Sequence, residues 1–356
     1  MNEQTPKRVV IIWASFAWLS VVLKLRRRLW KNVDIKLFDG RDQFCYIPWL
    51  HEWINNPQYI PSLLFPISQY YPEFINETVT TVTDNTITTA SWITHNFDYC
   101  VIATWSRTNF YNNKEREEHW YTMRYLEDLL VVNEKLKEPE TKHITVIWWW
   151  YTGVEVASTI AQTKRPDQSV RIIHSGPRLF HRLWPSISKQ AIKRLEKHNV
   201  EVVINKKVHT INPTTLSTED GAVYPSNLTI VSAWISINDE LIDPKRTFQK
   251  QYHSEENDRI FLCGDVAVHG LLTTAHNAMM EWRRVWDLIA DRIKWIRWEY
   301  SPIFDRDKLA IALGTRDGIV TDWKHGIYFP RLTWFAKKVI QHRVLIEFKY
   351  KIMFWI

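Results

Sequence analysis

The sequence predicts an α/β fold made of two Rossmann-like βαβ units, followed by a C-terminal amphipathic helical tail. Residues 8–12 and 144–147 are short, largely apolar runs typical of buried strands, and each leads into a turn and a helix-like segment. A second β-prone run follows each helix, at residues 33–38 and 170–173. This order of strand, helix and strand defines a βαβ unit, and 356 residues leave room for two domains.

Both strand-to-helix turns carry tryptophan where a dinucleotide-binding G-x-G-x-x-G turn carries glycine. In such a turn the first glycine permits the tight bend, the second lets the backbone approach a pyrophosphate, and the third lets the helix pack on the sheet. An indole at the first position would fill the space of the phosphates. The corresponding residues are Trp13, Ser15 and Trp18 in the first turn and Trp148, Trp150 and Gly153 in the second.

Composition indicates the same exchange along the whole chain. The sequence contains 9 glycines and 20 tryptophans, so glycine makes up about 2.5% where roughly 7% is usual. Trp30 follows a basic helix-like run where a left-handed C-cap is expected, and Trp92 lies between two β-prone runs where a hairpin turn needs positive φ. We therefore hypothesise that the gene uses UGA for glycine and that UGA was translated as tryptophan.

The alternative is that the tryptophans are genuine. Residues 9–23 then form an apolar run between basic residues, which resembles a signal-peptide core and is short for a transmembrane helix. On this interpretation the chain is a non-catalytic, membrane-associated scaffold. It leaves the second copy of the motif at residue 148 unexplained, so we favour glycine.

Bulk properties exclude some functions. A net charge of +7 and a pI near 9.1 suggest attraction to an anionic surface, but the basic residues form no nucleic-acid-like tract outside the C-terminus. Cys45, Cys100 and Cys263 are far apart and form no C-x-x-C pair, so we predict neither a metal site nor a local dithiol. A reducing cytoplasmic compartment is the default.

Further motifs occur at the ends of predicted strands. Asp39 lies 26 residues after Trp13, where an acid binds a ribose, whereas the same count from Trp148 reaches His174. The strand within residues 97–106 ends in Ala-Thr-Trp, and that within residues 259–267 ends in Gly-Asp. Together with the two turns, these segments resemble the FAD/NAD-dependent pyridine nucleotide oxidoreductase family. Residues 39–52 and 148–157 resemble one branch, the type II NADH:quinone oxidoreductases and their sulfide:quinone reductase relatives.

The resemblance implies a cofactor role for each matching residue. The first turn would bind the pyrophosphate of FAD, and Asp39 would bind its adenosine ribose. Further FAD contacts would come from residues at three strand or helix ends: Thr104 with Trp105, Gly264 with Asp265, and Ala275. NAD(P)H would be held by Trp148, Trp150, Gly153 and His174. His174 replaces the acid that selects NADH, and Arg178 is close by, so NADPH stays open.

The resemblance also implies the reaction. Hydride would pass from NAD(P)H to FAD and two electrons from FAD to a quinone, as in a non-proton-pumping type II NADH dehydrogenase. Glu155 matches the family glutamate beside nicotinamide and flavin, while His276 and Met280 stand where the quinone enzymes usually carry glutamine. The rival enzyme is a soluble NAD(P)H oxidase or peroxidase that uses Cys45 as a single redox thiol.

The expected domain order is an FAD-binding domain in two parts, residues 1–112 and 223–325, with an NAD(P)H-binding domain inserted at residues 113–222 and a tail at residues 326–356. One side of the tail helix is expected to be apolar and to lie on the cytoplasmic face of the membrane. This side contains Trp334, Phe335, Val339, Leu345, Phe348 and Ile352. The cations expected to reach anionic headgroups are Lys337, Lys338, Arg343 and Lys349. Packing on the protein's own core or on a homodimer partner is the alternative.

Overall fold

The computed structural model describes residues 5–13, 32–104, 106–110, 118–147, 150–232, 235–236, 240–241, 258–267, 275–294, 309–321, 326–327 and 330–350. The predicted site residues Ser15, Trp18, Trp105 and Trp148 lie outside these ranges, as does Trp30.

The described strands, in chain order, are β1 Lys7–Ile12, β2 Val33–Phe38, β3 Phe44–Cys45, β4 Leu64–Phe65, β5 Phe74–Ile75, β6 Val79–Val82, β7 Thr86–Thr89, β8 Thr94–Asn96, β9 Tyr99–Ile102, β10 Arg107–Thr108, β11 His143–Ile147, β12 Ser169–Ile173, β13 Val200–Val203, β14 Val208–Ile211, β15 Thr215–Thr218, β16 Val223–Pro225, β17 Leu228–Val231, β18 Ile235–Ser236, β19 Ile260–Leu262, β20 Leu309–Ala312, β21 Gly318–Thr321 and β22 Gly326–Ile327. The α-helices are α1 Ile67–Tyr70, α2 Leu126–Lys137, α3 Tyr151–Thr163, α4 Pro185–Lys197, α5 Ala275–Lys294 and α6 Pro330–Tyr350. Short 3₁₀ helices cover Ile47–Trp53, Pro57–Leu63 and Gly264–Val266.

The first sheet is fully parallel and has the order β19-β9-β1-β2-β5. Its central strand β1 ends in four buried apolar residues, as expected for a strand covered on both faces. From β1 the chain goes to β2 on one side and later to β9 on the other. The carboxyl ends of β1 and β9 therefore flank a topological switch point, where open α/β sheets bind ligands.

The second sheet repeats this plan with the order β13-β12-β11-β17, again fully parallel. Its central strand β11 leads towards α3, and the switch point lies between β11 and β17. We expected residues 228–231 to belong to the second part of the FAD domain. That placement is wrong, because β17 pairs with β11; the remaining domain boundaries stay a prediction.

Smaller antiparallel sheets β6-β7-β8, β14-β15-β16, β20-β21-β22, β3-β4 and β10-β18 complete the described part of the fold. Helix α6 packs on β20 and β21. The largest apolar cluster of the described residues contains residues of both parallel sheets and the buried indoles of Trp282 and Trp286 on α5. The predicted hairpin turn is present between β7 and β8. There Trp92 has φ +65°, in the region that favours glycine, and its side chain is 88% exposed.

Candidate functional site

The first turn begins at Trp13, directly after β1. Trp13 has φ +83°, and its N–H donates to the Phe38 carbonyl at 2.7 Å, which ties the end of β1 to the end of β2. A side chain is disfavoured in this left-handed region because its Cβ crowds the backbone. The chain therefore follows a glycine-like path at the first position of the predicted phosphate turn, with an indole attached to it.

An acidic side chain lies at the carboxyl end of β2. Asp39 is buried, and its Oδ1 accepts the Arg41 N–H at 2.9 Å, so the carboxylate is held by a local turn. Thr104 is buried beyond the end of β9, the other neighbour of β1. Asp39 and Thr104 thus flank the central strand at the edge where the sequence predicted them to act.

Gly264 and Asp265 follow β19 at the same edge, and a network missed by the sequence analysis holds them. Gly264 has φ +77°, and its N–H donates to Glu281 Oε2 at 2.8 Å. The Ser106 hydroxyl donates to the Asp265 carboxylate. Arg124 donates to the carbonyl and hydroxyl oxygens of Ser106 at 2.8 and 2.6 Å. This arrangement fixes the Asp265 carboxylate towards β10.

Burial raises the pKa of Glu281 to about 8, and the nearby Asp265 carboxylate adds to the shift. Glu281 is therefore largely protonated at neutral pH while it accepts the Gly264 N–H. No local pattern signals Ser106, Arg124 or Glu281, because each contacts a partner distant in sequence.

The second turn is described from Trp150 onward. Trp150 precedes α3 with an extended backbone at φ −132°, ψ −173°, and its ring lies 5.7 Å from that of Tyr151. Gly153 is buried in the first turn of α3. The N–H groups at the start of a helix suit an anion, as the motif requires.

His174 and Arg178 follow β12, where the nucleotide ribose is expected. His174 is buried, and a Cβ at Gly176 would lie 2.6 Å from its Nε2, so the loop packs closely over the ring. Arg178 donates to the carbonyl oxygens of Phe180, His181 and Leu183 at 3.3, 2.5 and 2.6 Å. The guanidinium is thus engaged by its own loop, which weighs against a 2′-phosphate ligand.

Glu155 lies in the first half of α3 and is only 6% exposed. Its Oε1 accepts the Ala312 N–H at 2.9 Å and a Lys337 Nζ hydrogen bond at 2.5 Å. Burial raises the pKa of Glu155, while Lys337 opposes that shift. The carboxylate therefore faces β20 and α6; its role beside nicotinamide stays a prediction.

The outward-facing role predicted for two tail lysines is wrong. Lys337 is buried against Glu155, and Lys338 pairs with Glu52 while its Nζ lies 4.5 Å from the centre of the Trp49 ring. Each lysine is held by a largely buried carboxylate, Lys337 by Glu155 and Lys338 by Glu52, instead of extending into solvent. Leu345 also packs towards the core rather than along the expected outer side.

The outer face of α6 is apolar. Its exposed large side chains are Leu332, Phe335, Val339, Ile340 and Ile346. Three of them line an open groove of about 870 Å³, whose lining residues are Trp334, Phe335, Lys338, Val339, His342, Arg343 and Ile346. Within the described ranges, no helix is long and apolar enough to cross a membrane. Phe348 and Lys349 lie in α6 with side chains outside the described part, and Ile352 lies beyond it.

The helix α5 contains three of the predicted site residues. Ala275 and His276 form its start, but their side chains are outside the described part of the structure. Met280 is half-buried, and its Sδ lies 3.8 Å from Arg283 Nη1. A role for Met280 or His276 in catalysis stays a prediction.

Cys45 does not have the environment of a redox thiol. It is a free, half-buried cysteine on β3, and burial together with Glu127 raises the pKa of its thiol to about 12. Reactive cysteines need a thiolate, which is scarce here at neutral pH. This weighs against the soluble oxidase or peroxidase that uses Cys45.

Two parallel sheets with turns at the ends of their central strands define an α/β protein with two dinucleotide-binding units. The sequence pattern of the pyridine nucleotide-disulphide oxidoreductase family matches residues 7–281, so the chain belongs to that family. The family is FAD- and NAD(P)H-dependent, which confirms the predicted cofactors. The backbone at Trp13, the Asp39 carboxylate and the Gly264 turn fit such a cofactor, whereas the Trp13 indole does not.

Solved structures share the fold over nearly the whole chain. The sulfide:quinone oxidoreductase from Aquifex aeolicus has a TM-score of 0.83 at 18% identity, over 97% of this chain and 92% of that one. NDH2 from Plasmodium falciparum in complex with NADH has a TM-score of 0.80 at 13% identity, over 96% of this chain and 95% of that one. A ferredoxin reductase from Rhodopseudomonas palustris has a TM-score of 0.75 at 19% identity, over 88% of this chain and 81% of that one. No curated protein sequence matches the chain.

Proposed function

We propose that the protein is an NAD(P)H-dependent flavoprotein that reduces a quinone, of the type II NADH dehydrogenase kind. The observation that supports a quinone as the electron acceptor is the apolar outer face of α6 with its groove, since a lipid-dissolved acceptor must reach the protein along an apolar surface. The groove has the size of small-molecule sites and includes the cations Lys338 and Arg343. Two neighbours of this fold, named for sulfide:quinone oxidoreductase and NDH2, support the same choice.

The proposed roles follow the geometry of the two sheets. When bound, FAD supplies the redox chemistry between NAD(P)H and the acceptor. Asp39, Thr104 and Asp265 lie at the carboxyl edge of the first sheet and would hold it. Gly153 and the N-terminus of α3 would hold the NAD(P)H pyrophosphate. NADH is the preferred donor, because Arg178 is engaged by carbonyl groups.

We further propose that the natural protein carries glycine at the tryptophans of both phosphate turns. Trp13 and Trp92 support this, because both adopt positive φ and the exposed Trp92 gains almost no burial in return. The nucleotide sequence tests it directly: UGA codons are expected at Trp13, Trp18, Trp148 and Trp150. UGG codons there would refute the glycine assignment.

The membrane is the proposed location, with α6 lying on the cytoplasmic surface. Helix α6 has five exposed apolar side chains, and burying their apolar surface in the membrane–water interface would favour binding. Co-flotation with anionic vesicles is the test, and Val339→Glu on the outer face is expected to reduce it. Equal flotation of both proteins would contradict this location.

The enzymatic test uses the chain with glycine at residues 13, 18, 148 and 150. We expect a yellow protein that oxidises NADH with a short-chain soluble quinone, and does so faster than with NADPH. The form with tryptophan at these four positions is the matched control and should bind little FAD. NADH oxidation that proceeds equally well without quinone would point instead to an oxidase.

A further inference from the structure

Helix α4 has a stripe of three lysines on its outer side. Its inner side is apolar and packs on β13, with Ile187 and Leu195 buried. The lysines recur every fourth residue, so they lie on one side of the helix and span about 12 Å. This lysine stripe consists of Lys189, Lys193 and Lys197, all three exposed.

The lysine stripe differs from other lysines of the same half of the chain in having no carboxylate partner. Four lysines there form ion pairs with a glutamate or aspartate, namely Lys135, Lys137, Lys206 and Lys207. Among the described residues, no ion pair or hydrogen bond engages a side chain of the stripe. Glu196 is the only acidic residue of α4. The outer side of α4 is therefore a positively charged surface that the protein itself neutralises only in small part.

The lysine stripe lies on the side of the second sheet that α6 covers. Crossovers between parallel strands are right-handed, so α3 and α4, which join β11 to β12 and β12 to β13, lie on the same face of that sheet. Helix α6 is attached to this layer twice. Lys337 bonds to Glu155 of α3. The Gly318 carbonyl on β21 accepts hydrogen bonds from both Arg194 of α4 and Thr333 of α6, each at 2.7 Å. The two helices are therefore neighbours on one side of the molecule.

We propose that the lysine stripe of α4 is a second membrane contact, which binds anionic lipid headgroups while the apolar face of α6 enters the interface. The inference rests on the proposed membrane location of α6 and extends it to another helix. Burial of an apolar face does not require charged lipids, whereas lysines are attracted to the negative surface of the cytoplasmic leaflet. Helix α4 thus supplies selectivity for anionic lipid, and two contacts orient the second sheet over the membrane where one helix would let it pivot.

An acidic electron-transfer protein is the other partner that suits a lysine stripe. Electrons would leave this protein from FAD, and the residues that would hold FAD lie at the carboxyl edge of the first sheet. Helix α4 instead packs on β13, an outer strand of the second sheet. A redox protein bound to the stripe would contact the NAD(P)H unit and not the FAD edge, so the membrane is favoured.

The test measures binding of the full chain to vesicles of phosphatidylcholine, with and without phosphatidylserine. The stripe variant replaces its three lysines with glutamine. On phosphatidylserine vesicles it should bind at least tenfold more weakly than the parent, because each lysine at an anionic surface increases affinity about fivefold. Arginine at the same three positions should restore binding. The control loses the same net charge elsewhere and should stay within about twofold of the parent; it carries Lys137→Gln, Lys206→Gln and Lys207→Gln.

Two results would overturn the proposal: an unchanged affinity of the stripe variant, or an equal loss in the control, which would indicate net charge alone. Binding of poly-L-glutamate that depends on the stripe, with no loss on phosphatidylserine vesicles, would also overturn it and would indicate an acidic protein partner. Val339→Glu separates the two helices, since it should weaken binding to both kinds of vesicle, whereas the stripe variant should bind phosphatidylcholine like the parent. If Val339→Glu changes neither, the location proposed for α6 fails, and a loss confined to the stripe variant still supports the α4 contact.

Discussion

Replacing Trp13 with glycine should improve both folding and FAD binding, and the two effects can be measured separately. Trp13 has φ +83° at the first phosphate turn. Trp13→Gly removes the indole and its Cβ, whereas Trp13→Ala removes the indole but keeps a Cβ in the left-handed region. Both variants should carry Trp18→Gly, because the third glycine of the motif is also needed.

The magnitude follows from the backbone angle. A side chain in the left-handed region destabilises the folded protein by roughly 1–2 kcal/mol. Glycine avoids this cost but loses about 0.5–1 kcal/mol of stability, because its unfolded state has more conformational freedom. Trp13→Gly should therefore be about 1 kcal/mol more stable than Trp13→Ala, a shift of roughly 2 °C in Tm for a chain of this size. FAD affinity should increase in the order tryptophan, alanine, glycine, because each step removes atoms from the phosphate space.

Trp92→Gly serves as the control. Its φ is +65° and its indole is 88% exposed, so the substitution relieves the same backbone cost with almost no loss of packing. It should raise Tm and leave FAD binding unchanged. Calorimetry and fluorescence titration with FAD measure the two quantities. Equal FAD affinity in the tryptophan, alanine and glycine forms would refute the steric reasoning, and equal Tm for the alanine and glycine forms would refute the backbone reasoning.

Three other predictions concern separate parts of the chain. The pKa of Glu281 is about 8 in the folded protein and 4.5 for the free side chain. Its contribution to the stability of the folded protein is therefore complete below about pH 4.5 and is lost as pH rises through 8. Glu281→Gln should thus stabilise the protein by a few kcal/mol at pH 9, roughly, and have little effect at pH 4, in denaturant titrations at both values; an equal effect at both would contradict this sign. Cys45→Ser should retain full turnover, since the raised thiol pKa leaves little thiolate, and a tenfold loss would revive the thiol mechanism. Phe335→Glu should weaken vesicle binding without lowering Tm, because its side chain is 59% exposed; a lower Tm would instead indicate packing.

Local elements of the fold could be predicted from the sequence because local patterns encode them. The strand predicted at residues 33–38 matches β2, and the helix-like segment predicted between the runs 144–147 and 170–173 is α3. The positive φ at Trp92 also followed from its position between two β-prone runs. Each of these depends on apolar periodicity or turn chemistry within about a dozen residues.

Long-range contacts could not be predicted in this way. Glu155 and Lys337 are 182 positions apart, and nothing near either residue indicates that they pair. Helical periodicity alone placed Lys337 with the solvent-facing cations, because a pattern of charges cannot reveal a buried carboxylate on another element. The pairing of β17 with β11 was missed for the same reason: an apolar strand fits either sheet, and only its neighbours decide between them.

The two adjacent lysines of α6 also set the rotation of that helix about its own axis. Lys337 and Lys338 are about 100° apart on the helix and are held by carboxylates on two different elements, so two directions are fixed at once. One pair would allow the helix to roll; two pairs do not. Contacts inside the protein therefore determine which side of α6 faces outward. Leu332, Phe335 and Val339 lie on the outer side without the need for a binding partner.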